Sequence, residues 1–379
     1  MKERAEPELK RIPLEEACLT ILATGLATSC NDFLSRAPEP PILDAIEEAI
    51  NTLQEIGAVS MPLGENTRHR KESLTSLGRH LSRFPVNVRV GKMLVYGALF
   101  KCVEPIVTIA ACLSASQSIF ALLLDETKSA REVRAAFFDQ QSDFLTLRRV
   151  FEAYKDADTK GKSRQFCRDN HLNLAALCEI QEARLHLLDL LCGLGFVDRE
   201  ACGLQPNGRL DETILSDGPS NLYGKEDSMI HAVILSSLYP NVGQLAANGG
   251  KQFLLHKTEQ LYIHSSSINY KVPAQTPSKW MVFHEKIGTT NRVSVSVTCF
   301  VKPIAIMLFG SSLEVKYFDR KVVIDGWISL DAAAQTAVMI KELRQLLDDV
   351  LNTMFETSSA RTFESVMSDM TEGVASLLR

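Results

Sequence analysis

The chain has 379 residues, 45% of them hydrophobic and 23% charged, which is ordinary globular composition and excludes a disordered polymer. Forty-one Lys+Arg against 46 Asp+Glu leave a net charge of −5, so a strongly basic free-standing nucleic-acid binder is excluded, while a locally basic groove is not. No apolar run approaches the roughly 20 residues that span a bilayer, and the mixed charges of MKERAEPELK do not make a signal peptide.

In chain order, Pro40 and Pro41 open a helical pattern with Ile42, Leu43, Ala45, Ile46, Ala49, Ile50, Leu53 and Ile56 on one side, and Gly57 closes it. A short strand-like stretch, Ala58 to Leu63, precedes the polar loop GENTRHRKES, and Thr75 is placed to cap a following helix. This block, 1–85, fits a small winged-helix module or a plain helical bundle. From 86 to 227 the pattern is helical almost throughout. KMLVYGALF, PIVTIAACLS, SDFLTLRRVFEAY and AALCEIQEARLHLLDLLCGLGF space apolar residues three and four apart. In the last of these the stripe is Leu177, Ile180, Ala183, Leu187, Leu190 and Leu191, ended by Gly193 and Gly195, and KDADTKGKSRQ reads as a charged loop. The Gly-rich stretch 205–225 marks a boundary.

Residues 228–330 change character. After HAVILSSLYPNV, the run RVSVSVTCFV alternates Val293, Val295 and Val297 with Ser294, Ser296 and Thr298, a half-buried strand. IAIMLF, LEVKYF and KVVID are expected to continue as strands, giving a small barrel or sandwich. The segment 331–379 is expected to start at an Asp331 cap and run as one helix to about Phe355. Its stripe would be Val338, Met339, Leu343, Leu346, Leu347, Val350 and Met354, and a frayed tail would follow.

Chemical motifs are sparse. Gly161-Lys162-Ser163 ends like a phosphate loop, but Asp156 stands where the first glycine belongs. Asp125-Glu126-Thr127 and His284-Glu285 lack their completing residues, Gly288 standing where a second histidine would be needed. Nine cysteines without a CxxC pair fit reduced thiols in an intracellular, reducing compartment, and no metal ligand set or catalytic residue is identified. The one electrostatic signal lies between Lys225 and Leu330, with 11 Lys+Arg against seven Asp+Glu. Four histidines and Tyr262, Tyr270, Trp280, Phe283, Tyr317, Phe318 and Trp327 accompany it. Cations beside rings make a single-strand platform if the rings are exposed, and a plain barrel core if they are not.

The order of motifs resembles the C-terminal half of a DEAH/RHA-family ATP-dependent RNA helicase. PELKRIPLEEACLTIL matches the exit from the second motor domain and FLSRAPEPPILDAIEEAINTLQEIGAV the winged helix. LTSLGRHLSRFPVNVRVGKML, FKCVEPIVTIAACLS, QSDFLTLRRVFEAY and FCRDNHLN match the ratchet-like helical domain. LYPNV, IHSSSINY and WMVFHEKIGTT match the OB-fold. The resemblance covers roughly Glu8 to Leu330. It implies an α+β multidomain protein: a winged helix, an all-α ratchet-like (HA2) domain, a five-stranded OB-fold β-barrel and a C-terminal helix. It also implies a parent nucleoside triphosphatase whose ATP and Mg sit in RecA-like motor domains absent from this sequence, so that this segment holds no cofactor and is inactive alone.

The expected partners are single-stranded RNA, those motor domains, and a protein activator or ribonucleoprotein partner at the OB-fold; no membrane is implied. RNA-facing candidates are His264, Ser266 and Ser267 in the IHSSS turn, and Lys286, Thr289, Asn291 and Arg292 around EKIGTTNR, with Asp143 and Arg148 or Arg149 as secondary ones. The same serines also suit turn capping. Two motifs depart from the family: His264-Ser265-Ser266-Ser267 has serine for proline, and Ser142-Asp143-Phe144 has phenylalanine for histidine. The alternative function is a docking module on a ribonucleoprotein complex with little RNA binding of its own.

Overall fold

The computed structural model describes residues 7–61, 71–120, 136–137, 142–248, 251–270, 276–289, 292–357 and 364–379. They fall into two compact units, Met1–Lys92 with Asp349–Ser359, and Met93–Asp348 with Ala360–Arg379.

In the first unit α1 (Glu15–Ala23), α2 (Cys30–Leu34) and α3 (Leu43–Ile56) pack together. Helix α3 buries Ile46, Ala49, Ile50, Leu53 and Ile56 of the expected side but leaves Ile42, Leu43 and Ala45 exposed at its start, and it stops at Gly57, whose φ of +83° only glycine adopts freely. The hairpin of β1 (Val59–Ser60) and β2 (Ser73–Leu74) decides for the winged-helix module over a plain bundle. The Thr75 hydroxyl caps α4 (Ser76–Leu81), accepting from the Gly78 amide at 3.0 Å. Gly78 lies so close to β1 that a Cβ there would stand 2.0 Å from the Ala58 carbonyl oxygen.

The helical part of the second unit is built on α6 (Val103–Ser114), buried over most of its length. Around it are α7 (Asp143–Thr159), α8 (Ser163–Asp169), α9 (Leu174–Gly193) and α10 (Glu212–Asp217), with α5 (Val88–Leu99) leading in. The expected charged loop is mostly helix: α7 runs on to Thr159 and only 160–162 break it, because Lys155, Asp156 and Asp158 tolerate a solvated helical face. The stripe of α9 contains Arg184, only 2% exposed. Its Nε donates to the Thr108 hydroxyl at 2.9 Å and its guanidinium reaches Glu212 at 3.0 Å, while its Cζ lies 4.8 Å above the Phe151 ring. This buried cation ties α6, α7, α9 and α10 with its charge matched.

Helix α11 (Asp227–Leu238) then leads into a closed five-stranded barrel of order β3-β4-β5-β7-β6. Its strands are β3 (Val242–Asn248), β4 (Lys251–His256), β5 (Glu259–Ile263), β6 (Trp280–Thr289) and β7 (Arg292–Val301), and β5 with β7 is the parallel pair. Leu254, Leu261, Ile263, Met281, Phe283, Val295 and Phe300 fill it.

Four expectations are corrected here. IAIMLF is a helix, α12 (Pro303–Phe309): Pro303 sits in its first turn, and burial all round erases the period that would distinguish helix from strand. LEVKYF and KVVID do not join the barrel but form a separate meander of β8 (Leu313–Lys316), β9 (Lys321–Ile324) and β10 (Ile328–Asp331). Asp331 ends β10 instead of capping a helix, and α13 (Ala334–Thr357) buries Ala337, Ile340, Leu347, Leu351 and Phe355 while Met339 and Leu346 face outward. The tail forms a further helix, α14 (Glu364–Leu378), which packs on α11 and α12 through Val374, Ala375 and Leu378. Among the described residues no helix is long and apolar enough to cross a membrane.

Candidate nucleic-acid interface

Two neighbouring features of the second unit gather the candidate residues: a buried joint beneath the IHSSS turn and an exposed rim of the barrel.

The joint is centred on Asp143, the first residue of α7, which follows the capping Ser142. Its carboxylate accepts from the Ser267 hydroxyl at 2.6 Å, the Ile268 amide at 2.9 Å, the Thr298 amide at 2.7 Å and the Thr298 hydroxyl at 3.3 Å. Asn269 Nδ2 donates to Thr298 Oγ1 at 3.0 Å. Burial pushes the Asp143 carboxyl above the ordinary range against the pull of these bonds. Asp143, Ser267, Asn269 and Thr298 are all buried. Ser267 therefore spends its hydroxyl inside the protein, fastening the turn between β5 and β6 to helix α7. Thr298, expected on a solvated face of its strand, is covered by the start of α7; the alternation of VSVSV carries no signal of that second layer. Arg148 is committed internally too, at 3.1 Å from Glu104 and 2.8 Å from Glu152, whereas Arg149 is exposed.

The rim carries most of the remaining candidates. His264 Nδ1 accepts from the Ser266 amide at 3.2 Å and lies 2.8 Å from the Ser266 hydroxyl, so ring Nε2 keeps the proton and remains a donor. Tyr262 lies opposite Ser294 across the parallel pair, and the Arg292 guanidinium sits 5.1 Å from the centre of its ring. On β6, Phe283 pairs with Thr298 but Lys286 pairs with Val295, a core residue. The inward face of β6 thus changes parity across 284–285, next to Val297 with φ +47°, and Lys286 is delivered to the barrel mouth. There it meets Glu259 at 2.8 Å, with 38% and 42% of the two side chains exposed. A pair that open is worth at most about 1 kcal/mol, so a phosphate can compete for the lysine.

Thr289 closes β6 opposite Arg292; its side chain, and the whole of Asn291, lie outside the described residues, as does Asp125-Glu126-Thr127. Of the aromatics, Trp280 and Phe283 are core, while Tyr270, Tyr317 and Phe318 are exposed. Among the described residues no cluster of His, Cys, Asp and Glu could hold a metal ion. Sequence reasoning missed Thr298, Asn269 and Arg184; only Arg184 left a trace, a lone charge in step with Leu177, Ile180, Leu187 and Leu191.

Comparison with known proteins adds four family matches. They are a winged-helix helicase-associated domain (HA2) at 49–86, a ratchet-like helicase-associated domain (HA2) at 87–147, an oligonucleotide/oligosaccharide-binding (OB) fold at 230–313, and a C-terminal domain in RNA helicases at 320–365. The chain is 34% identical over 360 residues to ATP-dependent RNA helicase DHX29 of Homo sapiens, covering 92% of this chain and 25% of that protein. It is 34% identical over 356 residues to DExH-box ATP-dependent RNA helicase DExH1 of Arabidopsis thaliana, and 32% identical over 361 residues to ATP-dependent DNA/RNA helicase DHX36 of Homo sapiens. Each of those two alignments covers 93% of this chain and 33% of the relative, so the chain spans a quarter to a third of the proteins it matches.

Proposed function

We propose that this chain, which belongs to the C-terminal helicase-associated region of the DEAH/RHA family of RNA helicases, forms one wall of a single-stranded RNA channel and transmits regulation to the motor. The observation that carries the reading is the barrel rim. Arg292 stacked on Tyr262, Lys286 in a weak exposed pair, and the His264–Ser266 turn put cations, a ring and small donors along one strip. Such a strip suits a flexible polyanion whose bases can stack, and it reads no sequence. ATP hydrolysis, with its Mg, is assigned to motor domains of the parent protein. The Asp143 joint gives those domains a firm lever, because it fixes the barrel turn to the helical part.

The test is binding of a fluorescently labelled oligouridylate by anisotropy. Lys286→Glu with Arg292→Glu is expected to weaken affinity at least about tenfold and to flatten the salt dependence by about 1.4 in log–log slope, at about 0.7 per lost phosphate contact. Unchanged affinity and slope would remove the rim from the RNA path. A second reading, docking of a ribonucleoprotein partner, draws on Tyr317 and Phe318, which stand 60% and 104% exposed on the β8–β9 turn. It predicts that Phe318→Ser abolishes partner capture and leaves oligouridylate binding intact.

A further inference from the structure

We infer that Cys192 and Cys202 are a dithiol modification site that a hydroperoxide converts to an intramolecular disulfide. Cys192 lies in the last turn of α9 and Cys202 in the turn that follows, with the two sulfurs 3.6 Å apart. The turn is held in place at its start. Asp198 accepts from the amides of Glu200 and Ala201 at 2.9 and 3.2 Å, and Arg199 pairs with Asp189 on α9. A disulfide needs an S–S distance of about 2.05 Å, so the sulfurs must close by about 1.5 Å, within reach of side-chain rotation.

The two thiols are not equivalent. Cys192 is half-buried and open to a small oxidant, whereas Cys202 is fully buried. The contact between the two sulfurs, with the Leu204 amide also directed at Cys202, pulls Cys202 down to about 7 and Cys192 up. Cys202 is thus the more acidic partner of the pair, the one placed to accept a proton from Cys192.

The chemistry balances with a hydroperoxide as the oxidant. As the Cys192 sulfur attacks one peroxide oxygen, the Cys202 thiolate takes the Cys192 proton in the same step, the O–O bond breaks, and the departing hydroxide takes a proton from solvent to leave as water. Cys192 is then a sulfenic acid. The Cys202 sulfur attacks the Cys192 sulfur, the S–O bond breaks, and hydroxide leaves with the Cys202 proton as a second water. Two thiols lose two electrons and two protons, and the peroxide is reduced.

Two other sites serve as internal controls. Cys178 is exposed but its sulfur faces the Tyr154 hydroxyl at 3.6 Å. Cys18 and Cys30 are neighbours, yet both are fully buried.

The test treats the full chain with hydrogen peroxide near neutral pH, quenches by alkylation and maps thiols by mass spectrometry. The expected product links the peptides of Cys192 and Cys202 with the loss of two hydrogens, about 2 Da, and dithiothreitol reverses it. Cys18 and Cys30 stay unoxidised and are alkylated once the quenched chain is denatured. In C202S, Cys192 accumulates as a dimedone-trappable sulfenic acid, and in C192S, Cys202 resists the same dose. The inference is overturned if Cys178 is consumed while Cys192 and Cys202 are still separately alkylated, or if the Cys192 sulfenic acid persists in the unsubstituted chain.

Discussion

Replacing Asp143 by alanine is expected to loosen the barrel turn without unfolding the barrel itself. The substitution removes the acceptor of two amides of the joint, half-buried Ile268 at 2.9 Å and buried Thr298 at 2.7 Å. The Ser267 and Thr298 hydroxyls, 3.0 Å apart, can still satisfy each other. Each orphaned amide costs about 1–3 kcal/mol, or about 2–6 kcal/mol together. Part of this is recovered, because burial already disfavours the charged carboxylate. A net loss of about 3 kcal/mol follows, equal to about a hundredfold in an equilibrium constant. Asp143→Asn keeps the shape and one acceptor oxygen, and is expected to cost about 1–2 kcal/mol. Amide hydrogen exchange on the intact chain reads this locally, which matters because a multidomain chain has no single unfolding free energy. Protection of Ile268 and Thr298 should fall about a hundredfold in Asp143→Ala and roughly tenfold in Asp143→Asn, with Met281 and Phe300 in the core unaffected. If both amides in Asp143→Ala exchange as slowly as before, the carboxylate is not what holds the turn.

Two further predictions concern other parts of the molecule. His231 on α11 has a buried ring nitrogen, Nε2, with no hydrogen-bond partner among the described residues, and burial, helped by Lys302, pulls the imidazole down to about 4. A lowered histidine means that the unfolded chain binds the proton first, so stability is full above about pH 6.5 and falls as the pH drops from there towards 4. Denaturant unfolding of the second unit should show that slope, at most about 3 kcal/mol, and His231→Phe should flatten it; an unchanged slope would place the titrating group elsewhere. Gly78→Ala forces a Cβ to 2.0 Å from the Ala58 carbonyl oxygen, which is backbone and cannot swing away, so the winged-helix unit should lose about 2–3 kcal/mol in limited-proteolysis protection. Gly193→Ala, with nothing within 4 Å of its Cβ, should be neutral or slightly stabilising, and equal effects at both glycines would refute the steric argument.

How far the sequence could be read depended on whether each element has two unlike faces. Helix α3 alternates buried and exposed positions between a proline pair and a glycine, so punctuation and the period from Ile46 onward agreed with the structure, while Ile42, Leu43 and Ala45 at its start are exposed. IAIMLF has no polar face, since α12 is buried all round, and six apolar residues fit a strand as well as two turns of helix. Thr298 and Ser267 carry small hydroxyls that suit water, a turn or a buried carboxylate equally; only the arrival of Asp143, 155 and 124 residues away from them, decides. Lys286 was chosen for its charge, but its place at the barrel mouth depends on a parity change beside Val297 that no residue type announces. The stripe of α13 was misjudged because Met339 and Leu346 are as apolar as the residues that are buried.

Closure of the barrel has a further consequence. Each of its five strands has a neighbour on both sides, so the cylinder offers no berth for a visiting strand to extend it. The meander is different: in the order β10-β9-β8, its outer members β8 and β10 each keep one unpaired side. A peptide that recognises this unit by backbone zippering, as extended ligands commonly do, must therefore lie along the meander. Whatever grips the cylinder itself has to recognise it through side chains projecting from the wall.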